Sequence, residues 1–146
     1  MRQLTGVIAG LAVAISVCGC LPFSTSYNTS PPIVGVYYAE TGEPLAGVQL
    51  AIGGDSSCSS PRVQTTTDSA GAFYLPATEG HDAVIILAPG DRWYGYTFCA
   101  RVAGIMRFVF EETSGVNRSF GRTAVSFTCI ESRTPNTTPV VCTKKG

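Results

Sequence analysis

Few side chains in this chain have the type and spacing to do chemistry. There are six cysteines (Cys18, Cys20, Cys58, Cys99, Cys129 and Cys142) and one histidine, His81, beside Asp82. No CxxC pair is present, and one histidine cannot complete a zinc ligand set, so no metal site is expected. His81-Asp82 has the composition of an acid–base pair. No Ser or Cys nucleophile is marked by a motif such as GxSxG, however, and a lone histidine between strands reads more simply as a solvated turn residue. Glu111-Glu112 would need Asp68 or Asp55 to chelate calcium, and the alternating carboxylate spacing of a calcium loop is missing. Adjacent carboxylates before Thr113-Ser114-Gly115 mark a solvated hairpin end instead. No catalytic residue and no cofactor is therefore expected. The remaining cluster is Arg92-Trp93-Tyr94, with Tyr96 two residues on. Its rings offer stacking faces with polar tips, which suits a protein or glycan contact. The competing structural reading places Trp93 as a cap on the core and Tyr96 inside it.

Short β-rich runs separated by turn residues must position these groups. Strands are expected at 33–39, 46–52, 63–67, 72–75, 83–88, 94–102, 105–111 and 123–130. In the second, Val48, Leu50 and Ile52 share one face while Gln49 and Ala51 share the other. The run 83–88 is almost wholly apolar and reads as a central strand buried on both faces. Asp68-Ser69-Ala70-Gly71 is a strong hairpin turn signal. No stretch has a convincing helical period. The expectation is all-β: one sandwich of seven to eight strands spanning 33–130. Residues 20–32 are rich in Ser, Thr, Asn and Pro without an apolar period, which predicts a flexible tether. Residues 131–146 form a polar tail.

The chain opens with Arg2 and an uncharged run from Leu4 to Val17, too short to span a bilayer as a mature helix. The run closes on Val17-Cys18-Gly19-Cys20, small and apolar residues directly before a cysteine. This resembles the lipobox of bacterial lipoproteins. The resemblance implies a signal peptide over 1–19 and diacylglycerol on Cys20, with the mature chain held at a membrane. Leu21 follows in place of the Asp that retains many lipoproteins of enteric bacteria in the inner membrane, so the outer membrane of a Gram-negative bacterium is expected. With Cys18 removed and Cys20 acylated, Cys58, Cys99, Cys129 and Cys142 remain. An even number in an exported chain implies two disulfides, with three possible pairings. Proximity in sequence favours Cys129 with Cys142, a loop whose closure is worth roughly 3 kcal/mol in the chain-entropy picture and would pin the tail. Cys58 would then pair with Cys99.

A second likeness covers residues 33 to 90. Gly35, then Thr41-Gly42-Glu43-Pro44-Leu45-Ala46-Gly47-Val48, then Thr67-Asp68-Ser69-Ala70-Gly71-Ala72-Phe73-Tyr74-Leu75, Gly80 and Pro89-Gly90 resemble the carboxypeptidase regulatory-like domain. The resemblance implies a transthyretin-like (prealbumin-like) β-sandwich. It is nearly silent on activity, since in that family the domain serves as a spacer or contact surface beside other modules. In physical terms, Gly42 and Gly71 suit turn positions needing positive φ. Val48, Phe73 and Leu75 would fill the space between sheets. The loop 53–61 with Cys58 and the segment after Pro89-Gly90 depart from the pattern.

Composition narrows the partners. Ten Lys/Arg balance ten Asp/Glu, and charged residues are 14% of the chain, against about 25% in ordinary globular proteins. Without a basic stripe, a nucleic-acid partner has no electrostatic footprint. Asn28, Asn117 and Asn136 head glycosylation-type triplets that are incidental in a bacterial lipoprotein. The expected function is a non-enzymatic binding or assembly module of the cell envelope. Its expected partners are the membrane, through the lipid on Cys20, and an envelope protein or glycan. The alternatives are an inhibitor or immunity-type lipoprotein presenting loop 53–61, and a hydrolase built around His81.

Overall fold

The computed structural model describes residues 23–84, 91, 93–132 and 139–145. Cys20, Arg92 and residues 85–88 of the apolar run lie outside these. The described residues are all-β, with ten strands and no helix: β1 (Phe23–Ser30), β2 (Ile33–Tyr38), β3 (Gln49–Gly53), β4 (Pro61–Thr66), β5 (Ala72–Leu75), β6 (Thr78–Val84), β7 (Trp93–Val102), β8 (Ile105–Val116), β9 (Val125–Glu131) and β10 (Val140–Lys145). Two compact units are distinguished, Met1–Thr25 with His81–Gly90 and Ser26–Gly80 with Asp91–Gly146. Of the first, the described parts are the start of β1 and the end of β6. The second contains the sandwich.

Two four-stranded sheets, ordered β10-β9-β2-β5 and β4-β3-β7-β8, form the sandwich. All pairs are antiparallel except β2 with β9, which run parallel from Ile33 opposite Val125 to Tyr38 opposite Ile130. Period-2 patterning decides which side chains meet. Ile33, Tyr37, Phe73, Leu75, Phe127, Cys129 and Val140 from one sheet pack with Leu50, Ile52, Tyr96, Phe98 and Ala100 from the other. Within this core Phe98 stacks on Phe110 at 5.1 Å, and Phe110 stacks on Phe127 of the opposite sheet at 4.9 Å. Gly35 is required on β2. A Cβ there would sit 2.5 Å from the Phe73 ring and 2.4 Å from the Phe127 carbonyl oxygen.

The turns follow the sequence signals. Asp68 Oδ1 accepts from the Ala70 and Ala72 amides, each at 2.9 Å, while Gly71 takes φ +69°. Thr67, buried between strands, donates to the Leu45 carbonyl at 2.7 Å and accepts from the Val48 amide at 2.9 Å. Gly42 takes φ +86°, as its turn position requires.

Eight of the ten strands make the sandwich, within the seven to eight expected, and the other two are the β1-β6 pair. Two expectations need correcting. Residues 23–30, expected within a tether, form β1, which pairs with β6. Hydroxyls replace apolar contacts there: Thr29 and Thr78 share a 2.6 Å hydrogen bond, and Ser30 Oγ accepts from the Thr78 amide at 3.0 Å. Pro31-Pro32 therefore end a strand rather than prevent one. The polar tail also carries a strand, β10, registered on β9 with Cys142 directly opposite Cys129. Ala83 and Val84 end β6, which pairs with β1, and the rest of the expected run, 85–88, lies outside the described residues. Among the described strands, β3 and the Tyr96–Ala100 stretch of β7 are buried on both faces, and the Cys58–Cys99 bond holds the 53–61 loop over their outer side.

The alternation in β5 yields a sharp test. Phe73 is 6% exposed and Tyr74 is 55% exposed. Phe73→Ala should lower unfolding free energy by about 3–5 kcal/mol, a large share of the roughly 5–15 kcal/mol of a single domain. Tyr74→Ala should change it by less than about 1 kcal/mol. Urea unfolding of both variants reads the difference, and equal losses would contradict the register.

Candidate functional site

The residues with chemical potential converge on the outer face of the β4-β3-β7-β8 sheet. Tyr96, Phe98 and Ala100 of β7 point into the core, so Thr97 and Cys99 between them face outward. Cys99 is bonded to Cys58, and the pair packs with Ala51 and Met106 in a small cluster separate from the main core. That disulfide folds the 53–61 loop onto the sheet. The loop is knit locally as well: Asp55 Oδ1 accepts from the Ser57 amide at 2.9 Å and from the Ser57 hydroxyl. These donors from Ser57 hold the Asp55 carboxyl below its ordinary value. Asp55 is a loop staple and offers no free acid.

Three β-bulges shape this sheet, and each extra residue lies on an edge strand. Ile52 faces Val63 while Gly53 faces Pro61, which leaves Arg62 extra on β4. On β8 the extra residues are Ser114 and Val109, opposite the Tyr94/Gly95 and Phe98/Cys99 steps of β7. A bulge re-aims its side chain and bends the strand. Arg62 is swung over the backbone of Gly54, where a Cβ would lie 2.8 Å from the guanidinium. Ser114 turns its hydroxyl to the Arg118 carbonyl.

Between the Arg62 and Ser114 bulges lies a groove of about 270 Å³, lined by Gly54, Arg62, Trp93–Thr97, Glu111 and Thr113. Its floor carries little side chain, because Gly54 and Gly95 contribute only backbone. Trp93 is 68% exposed at one end. The reading of Trp93 as a core cap is therefore corrected. The apolar cap is supplied by Phe120, whose ring meets that of Tyr96 edge-on at 5.2 Å. Tyr94 is half-buried against Tyr27, with ring centroids 4.6 Å apart. Tyr96 is buried, as expected from the alternation.

Glu111 and Glu112 part company here. Glu111, opposite Thr97, faces the groove. Glu112 accepts from the Tyr96 hydroxyl at 2.6 Å and from Lys144 Nζ at 2.8 Å. Burial alone would raise the Glu112 carboxyl. The hydrogen bonds from Lys144 and Tyr96, with the Lys144 charge, outweigh it and hold the group below its ordinary value. Burial, followed by its hydrogen bond to Glu112, pushes the Tyr96 phenol far above its usual range. Tyr37 is pushed the same way by burial and by Glu131, to which it donates at 3.5 Å. Neighbours on one strand thus have different work: Glu112 closes the sandwich and Glu111 is left to the groove.

The other expected site residues are placed as follows. Cys58 joins Cys99 and Cys129 joins Cys142. Asp68 is spent on its hairpin and stands apart from Glu111. His81 lies exposed on β6. Among the described residues, no group of three or more His, Cys, Asp or Glu is placed to hold a metal ion. Arg62, Gly54 and Thr113 were not singled out by the sequence, since a bulge leaves no mark in a β-rich run beyond the neighbouring Pro61. No family model, characterised protein or solved structure matches the chain.

Glu112 sets an acid limit on the fold. Its folded pKa lies below its unfolded value of about 4.3. The stability it contributes is present above that value and is lost as pH falls through the depressed folded pKa. Glu112→Gln should be less stable than the wild type at pH 7, and the gap should close as pH falls below the ordinary carboxylate range. Thermal melts across that range measure it, and a pH-independent gap would count against the Lys144–Glu112–Tyr96 network as its source.

Proposed function

We propose that this chain is a lipid-anchored lipoprotein of the bacterial cell envelope whose β-sandwich acts as a non-enzymatic binding or assembly module, making protein or glycan contacts. The observation that carries the binding reading is the solvent-facing Trp93 at the mouth of a groove with two charged side chains of opposite sign, Arg62 and Glu111. Neither charged group is engaged. Arg62, Trp93 and Glu111 make no side-chain hydrogen bond or ion pair among the described residues. An exposed tryptophan on the rigid strands of a stapled sheet has the character of an interface anchor. The lipid anchor is supported by the lipobox-like Val17-Cys18-Gly19-Cys20, and two disulfides agree with an oxidising compartment. The carboxypeptidase regulatory-like resemblance supports a contact role, since such domains serve as spacers and contact surfaces.

Two experiments test the two halves. Metabolic acyl labelling should place lipid on Cys20 and recover the protein with outer membranes, and Cys20→Ser should accumulate as unprocessed precursor. A mature, unlipidated chain starting elsewhere would remove the anchor. For the groove, Trp93→Ala should leave the melting temperature within a few degrees while abolishing co-purification of the envelope partner by the intact lipoprotein. Loss of stability comparable to that of Phe73→Ala would make Trp93 structural and the groove unoccupied.

A further inference from the structure

We infer that the Trp93 groove takes a β-linked pyranose chain, of hexose or N-acetylhexosamine units, lying across the end of the sheet. This rests on the reading of the chain as a binding module and names the ligand class of that site.

Three features of the groove point to a sugar. The first is the ring. Trp93 is 68% exposed, and the negative quadrupole of an indole face attracts partial positive charge on carbon-bound hydrogens. A β-linked pyranose with equatorial substituents presents a flat sheet of axial C–H bonds, while its hydroxyls point outward from the ring edge. An α-linked chain with axial linkages curves and breaks up that flat face.

The second is the polar complement at the edge. Each sugar hydroxyl both donates and accepts. Arg62 supplies only donors and Glu111 only acceptors, so the two together can satisfy neighbouring hydroxyls on one ring. Opposite signs leave the groove near neutrality, which suits an uncharged saccharide and disfavours phosphate or a run of carboxylates. Thr113 adds a hydroxyl on the β8 side.

The third is the floor. Gly54 and Gly95 leave the backbone bare, and a Cβ at Gly95 would come 3.3 Å from the Glu112 carbonyl oxygen. With a volume of about 270 Å³, the groove is smaller than the roughly 300–1,000 Å³ of enclosed small-molecule sites. It fits a chain crossing it with one or two rings held, rather than a compact ligand swallowed whole. The Arg62 and Ser114 bulges on the two edge strands flank that path.

Trp93 is the single tryptophan of the chain, so its fluorescence reports on this groove alone. The intact protein is titrated with chitotetraose, cellotetraose and maltotetraose. At least one of the first two should shift and saturate the emission, and maltotetraose should bind at least ten-fold more weakly. By calorimetry, Trp93→Ala, Arg62→Ala and Glu111→Gln should each weaken the binding ten-fold or more, with melting temperatures unchanged. Tyr74→Ala, on the outer face of the other sheet, should bind as the wild type does. Equal binding of maltotetraose would overturn the β-linkage. The same experiment in envelopes uses a photo-crosslinking residue in place of Thr113. Adducts whose added mass is removed by glycosidases support the proposal. An adduct whose added mass is a peptide, with no saccharide response, would overturn the sugar while keeping the binding module. No adduct and no titration response would overturn both.

Discussion

The face-to-face stacking of Phe98, Phe110 and Phe127 is the contact on which the sandwich depends. Among the described residues no strand ladder joins the two four-stranded sheets, so the packing of inward side chains must hold them together. Phe98 and Phe110 come from adjacent strands of one sheet and Phe127 from the other, so the stack crosses the interface. Phe73 enters the same space only because β2 carries Gly35 beneath its ring. Once these rings are fixed inward, period 2 fixes everything on the outer faces. Buried phenols follow the same logic. Tyr37 and Tyr96 fill volume in the core and carry their hydroxyls to Glu131 and Glu112, so neither is left unsatisfied.

The open sheets leave edges, and the way those edges are managed also shapes the candidate site. A long edge strand such as β8 is a template for unwanted pairing. Two bulges break its register, a third breaks that of β4, and β10 ends in Lys144-Lys145. The β8 and β10 edges are further tied by the Lys144–Glu112 ion pair. At the Trp93 end the bulges on β4 and β8 lie on either side of the groove. One device thus discourages edge-to-edge association and builds a concave surface from what would be a flat sheet.

Much of this architecture was legible in the residues because it is governed by local rules. Alternation placed Phe73 and Leu75 inside and Tyr74 outside. The Asp68–Gly71 turn, the φ of Gly42 and the pairing of Cys129 with Cys142 followed from turn chemistry and proximity. What escaped the sequence depends on partners distant in the chain. Residues 23–30 look like a tether until Thr78 is brought beside Thr29 and Ser30. The burial of β3 and β7 on both faces left no apolar run in the sequence, because it depends on the Cys58–Cys99 bond bringing the 53–61 loop over their outer side. The sequence pattern favoured Trp93 as a core cap, and its exposure became visible only once Phe120 was placed over Tyr96. Arg62 was invisible because its role comes from one extra residue in the ladder.

The covalent staple behind the groove bears on how well the site can bind. Gly54 lies four residues from Cys58, which is bonded to Cys99 two residues along β7 from Thr97. The loop that forms the floor and the strand that forms the wall are thus tied to one another close to the site. Ser57 and Asp55 stiffen the intervening turn. Ordering a free loop on binding would cost backbone entropy of about 1–2 kcal/mol per residue, enough to erase the affinity of a shallow, mostly polar groove. Here that cost is met on folding, so the modest contacts of one aromatic face and two charges can appear as net affinity. The staple lies outside the main core, where packing alone would not require it, and its position beside the groove is consistent with preorganisation as its physical effect.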